Sequence, residues 1–165
     1  MKASRKALFL DRDGTLIRHI PYLHDPDGVE LLEGTRQALS RARKAGYLLF
    51  LFSNQSGIGR GMFTMREAEA CNRRMIDLLE LPGEVFAATC IAPEVPGDLS
   101  GYRKPNPRFI LEMIESHELD PECCWMIGDS DCDMEAAVNA GIRSCRVGED
   151  RSLDSIIDHV IAHCP

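Results

Sequence analysis

Two aspartates one residue apart, Asp11 and Asp13 in "FLDRDGT", follow directly on an apolar run. Further along stand a Ser-Asn pair, Ser53 and Asn54, then Lys104 in "YRKPNP", then the acid-rich "GDSDCDM" with Asp129 and Asp133. Carboxylates, a cation, a hydroxyl and an amide are the parts that metal-assisted phosphoryl transfer requires: a nucleophile, a charge neutraliser and donors for the transferring oxygens. They can act only if the fold gathers them, because they are spread over most of the chain.

The surrounding elements are suited to gathering them. Ala7 to Leu10 reads as a buried strand of a parallel sheet, so the chain leaves the core at Asp11. "YLLFLFSNQ" is a second buried strand over 47–52 that ends at Ser53, "EVFAATCIA" (84–92) a third, "CCWMI" (123–127) a fourth ending just before Gly128 and Asp129, and "RSCRV" (143–147) a fifth. Between them, helical patterns cover 35–45, a stretch from the capping-box pair Thr64 and Glu67 to Leu79, 107–117, "DMEAAVNAG" (133–141) and "SLDSIIDHVIAH" (152–163). Alternation of this kind predicts a Rossmann-like three-layer α/β/α sandwich around a mainly parallel sheet. Ligands bind at the carboxyl edge of such sheets, which is where Asp11, Ser53 and Asp129 fall.

With 165 residues and 18.4 kDa, a single domain is expected. A net charge of −7 and a pI near 5.2 exclude a basic nucleic-acid footprint and favour a small-molecule partner. No apolar run approaches membrane-spanning length, and the N-terminal one is too short for a signal peptide. Seven cysteines without a C-x-x-C pair point to reduced thiols and a cytoplasmic address.

In order and spacing, "DRDGT", "SNQ", "YRKPNP" and "GDSDCDM" resemble the four motifs of the haloacid dehalogenase superfamily of phosphohydrolases. Within it, "FLDRDGT", "SNQSGIGRGMFT" and "RKP" look most like the D-glycero-D-manno-heptose 1,7-bisphosphate phosphatases and their relatives, the histidinol-phosphate phosphatases; "QSGIGRGMFT" favours the heptose side.

This resemblance implies a Mg²⁺-dependent phosphatase. Asp11 would be the nucleophile that forms an aspartyl-phosphate, and Asp13 the acid and then the base. The implied Mg²⁺ ligands are the Asp11 carboxylate, the Asp13 main-chain carbonyl and Asp129, while Asp133 would steady the metal shell or Lys104. Ser53 and Lys104 would hold phosphoryl oxygens, and Arg103 a substrate hydroxyl or second phosphate. Further expected substrate contacts are Arg12, Asn54, Gln55, Ser56 and Arg60 from the motifs and His19 and Tyr22 from the segment after the first. Ser130 stands where the heptose enzymes commonly have a lysine.

The resembling family often carries zinc before the Arg-Lys-Pro, held by a C-x-H and a C-x-C; here Ala92, Glu94, Gly101 and Tyr102 lie near those positions, and no zinc is expected. There is no room for a large cap between residues 15 and 34 or 92 and 104, so an open site is expected, with a flap at 15–34 and a short substrate loop at 92–104, in a monomer or small homo-oligomer. The non-enzymatic alternative is a receiver-like phosphoacceptor switch. Asp13 speaks against it, since an acid-base group beside the acceptor serves turnover rather than storage.

Overall fold

The computed structural model describes residues 5–163. Strands β1 (Arg5–Leu10), β2 (Tyr47–Asn54), β3 (Ala88–Ala92), β4 (Leu119–Gly128) and β5 (Arg143–Arg146) form one sheet in the order β3-β2-β1-β4-β5, every neighbouring pair parallel. β1 is central, and the connections on either side of it run to opposite edges. A sheet of this kind opens a crevice at the carboxyl end of the strands where the order reverses, here between β1 and β4.

The helices are α1 (Thr35–Lys44), α2 (Ser56–Gly59), α3 (Met65–Leu79), α4 (Arg108–Ser116), α5 (Asp131–Ala140) and α6 (Leu153–Ala162). Successive strand side chains serve opposite faces. Leu8 and Leu10 of β1 pack with Leu39 of α1, Met75 of α3 and Ile157 of α6, whereas Ala7 and Phe9 pack with Phe50 and Phe52 of β2 and Phe109 of α4. The second face is tightly aromatic: the Phe9 and Phe50 rings stack at 5.0 Å and Phe109 meets Phe9 edge-on at 6.1 Å. The expected three layers are present.

Several boundaries depart from the sequence reading: β1 begins at Arg5 rather than Ala7, β2 runs on to Asn54, and α2 is a short helix the sequence reading lacked. β3 begins at Ala88 rather than 84, because Val85 and Phe86, though adjacent, enter the same core, which an alternating strand does not permit. β4 begins at Leu119, ahead of Pro121, and the register against β1 shifts between Arg5 and Ala7 to absorb the irregular residues. α5 starts two residues early, with Ser130 as its N-cap. α3 begins where the capping box places it: Thr64 N–H donates to Glu67 Oε2 at 2.7 Å and Glu67 N–H to Thr64 Oγ1 at 3.3 Å.

Residues 15–34 contain a single 3-10 turn, Pro26–Gly28, and 93–107 hold no helix or strand, so neither segment contains a large cap. No helix among the described residues is long and apolar enough to cross a membrane.

Candidate active site

Asp11 is the first residue past β1, and its N–H still donates to Ile127 O of β4 at 3.0 Å. The ladder thus fixes where the side chain emerges. Its Oδ1 accepts from Lys104 Nζ at 2.8 Å, and the same ammonium donates to Phe52 O at 2.7 Å and lies 2.6 Å from Asp133 Oδ1. Lys104, only 2% exposed, thus hydrogen-bonds Asp11 and Phe52 O and pairs by charge with Asp133. Its main chain is held as firmly: Lys104 N–H donates to Asn54 Oδ1 at 2.9 Å and Asn54 Nδ2 donates to Lys104 O at 3.2 Å. Asn54, at the end of β2, therefore continues the sheet with a side-chain rung that seats the lysine loop. Asp133 is placed by the start of α5, where its Oδ2 accepts from the Ser130 N–H at 3.1 Å and from Ser130 Oγ–H at 2.6 Å.

One lysine faces two buried carboxylates, and the titration directions follow from that imbalance. Burial pushes the Asp11 carboxyl up to about 7; the attraction of Lys104 opposes this and the negative charge of Asp133 adds to it. For Lys104 burial works downward, yet the two carboxylates outweigh it and hold the ammonium well above its ordinary value. Asp129 is also raised, first by burial and then by Asp133.

Past Asp11 the chain turns sharply. Gly14, at φ +78°, donates its N–H to Ile17 O at 2.9 Å, and a Cβ at that position would overlap the Asp129 carboxylate. A Cβ at Gly128 would overlap the Asp133 carboxylate in the same way. The glycines thus let β1 and β4 bring their acids close. Oxygens of Asp11, Asp129 and Asp133 all lie within 4.8 Å of one another. Three carboxylates against one ammonium, with Asp11 and Asp129 raised from their ordinary values, form a hard-oxygen set short of positive charge, which fits a divalent cation.

Asp13 faces a different set of donors. Gln55 Nε2 donates to its Oδ2 at 2.8 Å and to Ser53 Oγ at 2.7 Å; Arg12 donates from Nε to Oδ2 at 3.1 Å and from Nη2 to Oδ1 at 3.3 Å. Ser53 Oγ, an acceptor here, keeps its own proton for another partner.

These groups border a cavity of about 440 Å³. Its floor includes Asp11, Asp13, Asn54, Gln55, Ser56, Lys104, Asp129 and Ser130; the flap contributes His19, Ile20, Pro21, Tyr22 and Leu23. Of the expected substrate contacts, Arg12, Arg60 and Arg103 do not line it: Arg12 is wholly buried, Arg60 is exposed, and Arg103 donates from Nη1 to Glu94 O at 3.2 Å. Ser53 sits beneath Gln55. Ile20, Leu23, Phe63 and Cys132 line the cavity without having been singled out as contacts. Phe63 is held by a ring stack on His24 at 5.6 Å, an arrangement with no local sequence signal. In the 92–104 loop the Glu94 carboxylate accepts from Tyr102 N–H at 3.3 Å and occupies the space where Gly101 would carry a Cβ, so it ties the two arms together.

A family model described as HAD-hydrolase-like matches residues 101–163. The D-glycero-beta-D-manno-heptose-1,7-bisphosphate 7-phosphatase of Rhodopseudomonas palustris is 35% identical over 165 aligned residues, covering 95% of this chain and 91% of its own. The histidine biosynthesis bifunctional protein HisB of Legionella pneumophila is 30% identical over 95% of this chain, which spans only 45% of that longer protein. Among solved structures, the D,D-heptose 1,7-bisphosphate phosphatase of B. bronchiseptica, complexed with magnesium and phosphate, superposes with a TM-score of 0.81 at 26% identity, covering 95% of this chain and 98% of the other.

Proposed function

Since the chain belongs to the haloacid dehalogenase-like phosphatases, in the branch containing the heptose 1,7-bisphosphate phosphatases, we propose that it hydrolyses the 7-phosphate of D-glycero-D-manno-heptose 1,7-bisphosphate through an aspartyl-phosphate on Asp11. The observation that carries this reading is the joining of Asp11, Lys104 and Asp133 by ion pairs of 2.8 and 2.6 Å at the sheet's switch point, with Asp129 beside them.

In this mechanism an Asp11 oxygen attacks phosphorus while the bond from phosphorus to the sugar oxygen breaks, and Asp13 gives that oxygen its proton. Asp13 then takes a proton from a water that attacks the same phosphorus; the acyl-phosphate bond breaks, inorganic phosphate leaves and Asp11 is again a carboxylate. Lys104 steadies Asp11 and meets the phosphoryl oxygens, with the free proton of Ser53 as a further donor. Mg²⁺ would be held by the carboxylates of Asp11 and Asp129 and the main-chain carbonyl of Asp13, and its charge would offset the repulsion between a carboxylate and a phosphate dianion. The flap residues Ile20, Pro21, Tyr22 and Leu23 line the cavity where the leaving sugar would sit. We place the enzyme in the cytoplasm, as one catalytic unit with Mg²⁺ and without zinc.

Heptose bisphosphate is placed first because proteins of that name match over nearly their full length; histidinol phosphate is the second reading, on the strength of the histidine-biosynthesis relative. Phosphate release measured with Mg²⁺ on both heptose bisphosphate anomers, histidinol phosphate and common sugar phosphates tests the assignment. One heptose anomer is expected to lead in kcat/KM, and Asp11→Asn to cut turnover by at least about 10³-fold. A lead for histidinol phosphate would remove the heptose assignment, and release that survives Asp11→Asn would remove the mechanism.

A further inference from the structure

The buried face of α3 is apolar at Ala68, Cys71, Met75 and Leu79, yet it also carries Asn72, which is only 6% exposed. An amide in such a place loses its hydration and needs a partner. Asn72 Oδ1 accepts from Arg12 Nη1 at 3.0 Å, and the Asn72 side chain makes no other hydrogen bond among the described residues. Arg12 is a fully buried arginine, and its remaining fork reaches both oxygens of Asp13 at 3.1 and 3.3 Å. The guanidinium is planar, so pinning one nitrogen on α3 fixes the direction in which the other two point. Neither Arg12 nor Asn72 lines the cavity that holds Asp13. Their place is behind the carboxylate, on the side away from substrate, while Gln55, just past the end of β2, holds Oδ2 at 2.8 Å.

We propose that Asn72 and Arg12 are positioning residues which fix the Asp13 carboxylate, so that it can pass a proton to the leaving oxygen and then take one from the attacking water. This deepens the phosphatase reading and rests on it. Without the α3 anchor the Arg12 guanidinium is no longer held in one orientation, only Gln55 keeps a fixed direction toward the carboxylate, and the carboxylate can rotate about its Cβ–Cγ bond. The cost falls on the steps that need proton transfer, not on substrate binding. General acid-base groups typically contribute about 10²–10⁴-fold, and misalignment forfeits part of that.

The test is Asn72→Leu, close in volume and without an acceptor, beside Asn72→Asp, which restores an oxygen for Arg12. Each is assayed on heptose 1,7-bisphosphate and on p-nitrophenyl phosphate, whose leaving group departs without protonation. For Asn72→Leu we expect kcat on the heptose substrate to fall by about tenfold or more with KM within about twofold. With p-nitrophenyl phosphate a burst of p-nitrophenolate approaching one per site is expected, because the aspartyl-phosphate forms but is hydrolysed slowly. Asn72→Asp should recover most of the loss. Equal losses on both substrates without a burst, an unchanged kcat, or no recovery in Asn72→Asp would overturn the assignment. Should Asn72→Leu fail to fold, Arg12→Lys, a buried cation too narrow to bridge both partners, is judged by the same burst. A wild-type enzyme inert toward both compounds, or active independently of Asp11, would instead overturn the phosphatase reading, and this assignment with it.

Discussion

Lys104 lies between Asp11 and Asp133 and can neutralise only one of them. Buried charge without a full counter-charge is costly, so the second carboxylate resists ionisation, and Asp11 is pushed up to about 7. The consequence for stability has a definite sign. Between the ordinary carboxyl range and about pH 7, the folded metal-free protein keeps a proton that the unfolded chain has released, so stability falls as pH rises through that window. Lys104, held above its ordinary value, changes nothing there, since its own loss of stability comes only at far more alkaline pH. The Tm of EDTA-treated wild type should therefore drop more between pH 5 and pH 8 than that of Asp11→Asn, and added Mg²⁺ should restore it at the upper end. Equal slopes for the two proteins would show that Asp11 ionises normally. At this scale the sequence is eloquent about the acids and the lysine, because motif spacing relative to strand ends is a local property. It says nothing of Asn72, whose only visible trait is a place on an amphipathic helix.

Among the elements, β1 and β4 do most to build the site, because their glycine-containing ends let two loops approach. Gly14 combines a left-handed backbone with a missing Cβ, and the Asp129 carboxylate fills the space. Gly14→Ala is expected to displace Asp129 and to weaken Mg²⁺ binding, followed by Mg²⁺ dependence of activity, by about tenfold or more, the scale typical of disturbed ligand placement. The far-ultraviolet spectrum should stay unchanged, because the β1 ladder ends before Gly14; an unaltered Mg²⁺ dependence would show that Asp129 is not a ligand. The start of α3 was legible because its capping box announces itself at Thr64, whereas α5, also capped, at Ser130, was read two residues late. The ends of β3 and β4 were not legible, since the first is decided by which core receives Val85 and Phe86 and the second by a register shift around Pro121.

At the scale of the molecule, the acidic net charge and a cavity with apolar flap walls leave little to attract a second phosphate. The cavity's cation is Lys104, already engaged, with the imidazole of His19 at the flap, while Arg12, Arg60 and Arg103 lie outside the lining. Heptose 7-phosphate should therefore be hydrolysed with kcat/KM within about tenfold of the 1,7-bisphosphate, less than one good charge-assisted contact would confer. A preference of a hundredfold for the bisphosphate would mean that one of these arginines swings in on binding. The amino-acid sequence by itself determined the α/β class, the four chemical motifs and the strand ends that carry them, because hydrophobic periodicity and short motifs are written in neighbouring residues. Only the tertiary structure decided which way the basic side chains turn, that Asn54 seats the lysine loop, and that Arg12 is buried behind Asp13 on an anchor from α3. Those outcomes depend on how distant elements pack, and a side chain's direction is set by the neighbour it meets rather than by its place in the chain.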